Sequence, residues 1–146
     1  MPKPSPDLWF NFVRAHRCLI REIDRRLAEQ ALPPYAWYDA LWGIESGPEG
    51  ARRMHELADV MAIERYNLTR LVDRLEKEGL VERIKAQNDG RGAVARITDE
   101  GRKLRKRIWK VYKQAVDELF LSEFDDQQQQ AFAEALAAAS RNTHQG

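Results

Sequence analysis

A single cysteine, Cys18, occurs among 146 residues. That excludes an intramolecular disulfide framework and any cysteine-rich zinc site, and it fits a reducing compartment. Histidine is nearly as scarce, with three in the chain. The most suggestive of them opens His55-Glu56-Leu57-Ala58-Asp59, which ends in Asp where the helical H-E-x-x-H zinc motif needs its second histidine. A glycine-rich phosphate loop, a nucleophile elbow and a catalytic carboxylate pair are all missing. No metal, no cofactor and no enzymatic activity are therefore expected. The chain has no run of about 18 apolar residues to span a bilayer. Its start, Met1-Pro2-Lys3-Pro4-Ser5-Pro6, lacks the apolar stretch of a secretion signal. The expected location is the cytoplasm, with no membrane partner.

What the chain does have is enough apolar surface, 43% of residues, to bury one core, alone or by completing it in a dimer. The net charge is only +1, but it is unevenly spread. Residues 1–50 hold 6 basic and 7 acidic side chains, 51–110 hold 16 and 10, and 111–146 hold 2 and 6. A basic middle between neutral-to-acidic ends is the footprint of a nucleic-acid-reading segment carried by a separate scaffold.

Apolar periodicity marks helices through most of the chain. After the proline-rich arm, Ser5 caps a helix with Pro6 in its first turn, and Trp9, Val13, Ile20, Ile23 and Leu27 recur at helical spacing. Phe10 and Phe12 make its first turns apolar on more than one side, which implies a second, intersubunit surface. Leu32-Pro33-Pro34 ends that helix, and another follows from Tyr35 to about Ser46 before the turn Gly47-Pro48-Glu49-Gly50. A short helix from about Met54 to Met61 turns Leu57 and Ala58 inward. A longer one, from about Glu64 to Glu78, carries Leu68, Leu71, Val72 and Leu75 at i, i+3, i+4 and i+7, with Gly79 as its C-cap. The three-residue gap between them makes a helix-turn-helix.

Ile84 and the Ala93–Ile97 run are extended, and Asn88-Asp89-Gly90-Arg91-Gly92 between them is turn chemistry, so a hairpin follows. Thr98 then caps a long helix to about Leu121, with Leu104, Ile108, Val111, Tyr112, Ala115 and Leu119 along one stripe. A last helix runs from about Asp126 to Ser140 with Phe132, Leu136 and Ala139 as its seam, and Gln127 to Gln130 are taken as its surface. The expected fold is mainly α with a small β-hairpin: a winged helix-turn-helix in which the hairpin is the wing.

The polar side of the 64–78 helix carries Arg65, Tyr66, Asn67, Thr69, Arg70 and Arg74, bunched toward the N-terminal half that meets base edges in a major groove. Arg and Asn have the bidentate geometry that guanine and adenine edges require. Arg91 at the wing tip is placed to enter the adjacent minor groove, and Asp89 orients it or pairs with a basic neighbour.

Leu57-Ala58, then LTRLVDRLEKEGLVER (68–83), Asp89-x-Arg91 and ITDEGRKL (97–104) resemble, in identity and spacing, the winged helix-turn-helix signature of the MarR transcriptional regulators. The resemblance is close over some 50 residues. It implies a homodimer on a pseudo-palindromic double-stranded operator, with the first, fifth and sixth helices dimerising. The expected division is an N-terminal arm and dimerisation helix (1–34), a winged helix-turn-helix (35–98) and C-terminal dimerisation helices (99–146), in one intertwined fold. Thr69 and Arg70 are placed in the groove, and Asp89 and Arg91 in the wing. The chain departs from the family at Ala62, where glycine is usual and where a left-handed backbone would cost Ala roughly 1 kcal/mol. It departs again at Glu64, a common Ser N-cap, and at Tyr66-Asn67, which replace smaller residues.

Many MarR proteins bind a small aromatic or phenolic ligand. By that resemblance Trp9, Trp37, Tyr38, Trp42 and Trp109, with His16 as a polar contact, are the residues to line a site for an aromatic acid. The expected function is a repressor relieved by such an effector. Two alternatives are a winged-helix protein-interaction module without specific DNA readout, and a thiol-based redox-sensing repressor using Cys18. For Cys18 the ordinary role is a small buried hydrophobe.

Overall fold

Leu68, Val72 and Leu75 recur on one face of a 13-residue helix because 3.6 residues make a turn, and all three are buried, at most 1% exposed. A computed structural model describes residues 4–85 and 92–144 and builds outward from this stripe. The elements are α1 (Pro4–Glu29), α2 (Tyr35–Glu45), a 3₁₀ turn (Pro48–Gly50), β1 (Ala51–Arg53), α3 (Met54–Met61), α4 (Arg65–Lys77), β2 (Val81–Lys85), β3 (Ala93–Ile97), α5 (Asp99–Leu119), a second 3₁₀ turn (Leu121–Glu123) and α6 (Asp126–Asn142). They fall into two compact units, Ile20–Tyr112 and the combined segments Met1–Leu19 and Lys113–Gly146. No helix among the described residues is long and apolar enough to cross a membrane.

In the first unit α2, α3 and α4 close over a sheet of order β1-β3-β2. Ala40, Leu41 and Ile44 of α2 meet Leu57 and Ala58 of α3, the α4 stripe, and Val81, Ala95 and Ile97 of the strands. Each fully buried aliphatic side chain contributes roughly 1.5–3 kcal/mol over leaving it exposed. The hairpin pairs Val81 with Ile97 through Lys85 with Ala93, and β1 adds to the other edge of β3, Ala51 against Arg96 through Arg53 against Val94. This third strand is a departure from the two-stranded wing expected. Its three residues have no apolar alternation, and its extended state comes from pairing with a strand more than 40 positions away.

Three helices of this unit end in the same way. Leu32, Ile63 and Leu80 each donate a backbone N–H to the residue five earlier (Leu27, Ala58 and Leu75), at 2.9–3.2 Å. The residue just before each donor has positive φ: Ala31 at 57°, Ala62 at 56° and Gly79 at 77°. This is the Schellman closure, whose left-handed position favours glycine. The chain uses glycine once and alanine twice.

Thr98 caps α5 as expected: the Gly101 N–H donates to its hydroxyl oxygen at 3.1 Å. The same hydroxyl donates to the Gly79 carbonyl at 2.7 Å, and the Thr98 N–H donates to Leu80 O at 3.1 Å, so the end of α4 and the start of α5 share one residue. Gly101 is required by this approach, because a Cβ there would lie 2.2 Å from the Leu80 carbonyl oxygen.

The second unit holds the first turns of α1, the last turns of α5, and α6. Helix α1 begins at Pro4, so Ser5 lies within its first turn instead of capping it. Cys18 is exposed, against the buried role expected. Leu8, Trp9, Phe10 and Phe12 are 43–67% exposed, and Phe132 and Leu136 of α6 are comparably open. Phe120, Phe124 and Phe132 stack edge to face at 5.2 and 5.0 Å. The glutamine run is more than surface: Gln128 completes a capping box with Asp125, and Gln129 donates to the carbonyls of Leu121 and Phe124.

Candidate functional site

Opposite the buried stripe of α4 run Tyr66, Arg70, Asp73 and Lys77, four or three residues apart and all exposed. Arg65, Asn67, Thr69 and Arg74 flank that line and are exposed too. The Thr69 hydroxyl donates to the Arg65 carbonyl at 3.0 Å. Arg74 is already engaged, its guanidinium 5.8 Å from the Trp37 ring centroid and 4.0 Å from Glu78 Oε2. Arg70 has no such partner among the described residues and projects freely.

Arg53, His55, Arg65 and Thr69 line a groove of about 670 Å³ that reaches Gly92 and Ala93 at the start of β3. Asp89 and Arg91, the expected wing residues, lie outside the described residues. What holds the wing strands to α4 was not foreseen from sequence. Arg83 of β2 forms an ion pair with Asp73, sits 3.5 Å from Glu76 Oε1, and donates its backbone N–H to Glu76 Oε2 at 3.1 Å. Two acidic residues on a helix otherwise bearing arginines were the available signal.

A second constellation joins α2 to α5. Tyr35, Tyr38, Asp39, Trp42 and Glu45 share one face of α2, while Ala40, Leu41 and Ile44 on the other face are buried. Arg105, Trp109 and Tyr112, at i, i+4 and i+7 of α5, meet them. Tyr38 stacks on Trp109 at 5.5 Å with an 18° interplanar angle, and Tyr112 stands edge-on to Tyr35, Tyr38 and Trp109 at 5.2–5.6 Å. Arg105 makes a two-pronged ion pair with Glu45 at 2.8 and 2.9 Å and lies 5.2 Å from the Trp42 ring centroid. Its side chain is 12% exposed, and that of Glu45 17%. The hydrogen bond to Glu45 raises the Arg105 pKa. Within the basic 102–110 run, Arg105 is thus a structural residue.

Burial raises the pKa of the Asp39 carboxyl. Burial also pushes Tyr112 up to about 12, with further contributions from Tyr35, Asp39 and Tyr38. Of the aromatic set expected to gather around a ligand, Tyr38 and Trp109 come together. Trp42, on the same face, lies against Arg105, Trp37 leaves α2 toward Arg74, and Trp9 stacks on Phe12 at 5.8 Å in the other unit, where His16 is exposed. Asp39, Tyr35 and Tyr112 were not foreseen as site residues. Asp39 was findable as the one charge before Glu45 in an apolar helix.

Helix-turn-helix, three-stranded wing sheet and flanking long helices define a winged helix-turn-helix protein. The comparisons place it further. Residues 33–92 match the MarR family. Over 59 residues the chain is 42% identical to the HTH-type transcriptional regulator FarR of Neisseria gonorrhoeae, a stretch that spans 40% of this chain and 40% of that protein. Sco3205, a MarR family transcriptional regulator from Streptomyces coelicolor solved in complex with DNA, is 29% identical. It superposes with a TM-score of 0.89, covering 98% of this chain and 93% of its own. The transcriptional regulator BldR from Sulfolobus solfataricus is 27% identical at a TM-score of 0.81, over 97% and 99%. The chain is thus similar to the MarR family regulators, by the family match over residues 33–92 and by its likeness to Sco3205 over nearly its whole length.

Proposed function

We propose that the protein is a homodimeric, sequence-specific DNA-binding repressor whose grip on a pseudo-palindromic operator is relieved by a small aromatic effector. The observation that carries this reading is the exposed Tyr66–Arg70 line of α4, flanked by Arg65, Asn67 and Thr69 and set beside the wing sheet. Arg and Asn on that line read base edges, the arginines lining the adjacent groove take phosphates, and Arg74, Asp89 and Arg91 complete the contact set. The DNA complex of Sco3205 supports the polyanionic partner. The exposed apolar residues of α1 and α6 support dimerisation through 1–34 and 99–146, since exposed aromatic and aliphatic side chains gathered on two helices mark an interface.

The test is fluorescence anisotropy of the purified protein on the intergenic DNA upstream of its own gene, against a scrambled duplex, over a salt series. Saturable preference for the native fragment, with affinity falling steeply as salt rises, is expected. Equal weak binding to both duplexes, and to a genome-wide fragment library, would overturn the reading. Light scattering of the same sample should give twice the 17.0 kDa chain mass.

A further inference from the structure

Asp39 is the one charged group of the α2–α5 aromatic cluster that is left uncompensated. Among the described residues no hydrogen bond or ion pair reaches it. The charges around it are accounted for. Arg105 is committed to Glu45 and to the face of Trp42, and Asp24 accepts the Tyr35 backbone N–H at 2.8 Å. The cluster is open to solvent on one side, where Trp109 is 38% exposed.

We propose that the Asp39 carboxylate and the rings of Tyr35, Tyr38, Trp109 and Tyr112 form a binding site for a small aromatic cation, an amine or quaternary ammonium, and not for an aromatic acid. This rests on the reading of the chain as an effector-responsive regulator and names the charge of the effector. Ring faces carry the negative part of the aromatic quadrupole, so a cation gains from each face it covers, and more so where water is excluded. A carboxylate ligand would meet the same faces and Asp39, and the nearest guanidinium, that of Arg105, is already paired with Glu45 through Nε and one terminal nitrogen. The raised pKa of Asp39 agrees, because it records a carboxylate held in a partly dry site without a partner.

The test titrates the purified 146-residue protein with benzyltrimethylammonium, phenylacetate and benzyl alcohol, read by tryptophan fluorescence and calorimetry, at pH 7.5. Saturable binding of the ammonium is expected, at least roughly tenfold tighter than phenylacetate. Asp39→Asn should weaken the ammonium by at least roughly tenfold without lowering the thermal midpoint. Trp109→Leu, which leaves the carboxylate in place, should weaken it too. Phenylacetate binding as tightly as the ammonium, no saturable binding of the ammonium, or undiminished binding by Asp39→Asn would each overturn the proposal. Operator anisotropy of the wild type and Asp39→Asn without any probe keeps the two readings apart. Loss of DNA binding in both would overturn the regulator reading, and loss of the ammonium with intact DNA binding overturns only the cation.

Discussion

Replacing Ala62 by glycine should stabilise the protein, although it deletes a methyl group and puts the most flexible residue into the turn of the helix-turn-helix. Ala62 has φ 56° and ψ 45°. In that region the Cβ of an L-residue crowds the following carbonyl oxygen, which costs about 1–2 kcal/mol. The methyl is exposed, so its removal gives up almost no packing. Glycine brings an opposing loss of about 0.4–1 kcal/mol, because the unfolded chain gains freedom that folding must remove. The net gain is about 0.5–1 kcal/mol. For a chain of this size it raises the thermal midpoint by about 2–3 °C.

The mirror experiment is Gly79→Ala, where a Cβ would meet nothing within 4 Å, so backbone conformation alone sets the loss, of similar magnitude. Both variants are read by circular dichroism melts and urea titration at one protein concentration, because self-association makes a midpoint concentration-dependent. An unchanged urea slope would confirm that stability moved and the denatured state did not. If Ala62→Gly is neutral or destabilising while Gly79→Ala destabilises, the left-handed strain at residue 62 is refuted.

Other outcomes follow from the geometry. Arg70→Ala should relax sequence preference at one base position by about 1–3 kcal/mol in anisotropy on mutated operators; a uniform loss across duplexes would assign Arg70 to phosphate. Thr98→Val removes the hydroxyl that both caps α5 and holds the Gly79 carbonyl, and should cost about 1–2 kcal/mol in urea unfolding. Arg105→Ala breaks a nearly buried two-pronged ion pair and should cost about 2–3 kcal/mol, with Glu45→Gln non-additive to it in a double-mutant cycle. Asp39 has a folded pKa raised above its unfolded value. Its protonated form therefore favours folding at low pH, and that contribution is lost as pH rises through the folded pKa. Asp39→Asn should accordingly melt higher than the wild type at pH 7, with the gap closing as pH falls through that value.

How far the sequence could be read depended on whether an element's cause was local. Helix α3 runs Met54–Met61 and α5 starts after Thr98, both as expected, because the 3.6-residue spacing of the one and the threonine cap of the other are local to the segments. Ala62 was flagged because the family that the sequence resembles usually has glycine there, and its backbone is left-handed. Strand β1 escaped notice, since Ala51-Arg52-Arg53 becomes a strand only by pairing with β3. Exposure of Cys18 escaped as well, because periodicity shows which helix faces are apolar and not what covers them. The recognition face of α4 was legible as a set of polar residues opposite a stripe. The Arg83 ion pairs were not, because they depend on where β2 returns against α4.

The hydroxyl of Thr98 and the guanidinium of Arg83 together act like two rivets through one plate. The first fastens the trailing end of α4 to the leading end of α5, and the second fastens the body of α4 to the wing. A helix so fastened cannot swivel by itself, since any tilt drags the wing and the root of α5 with it.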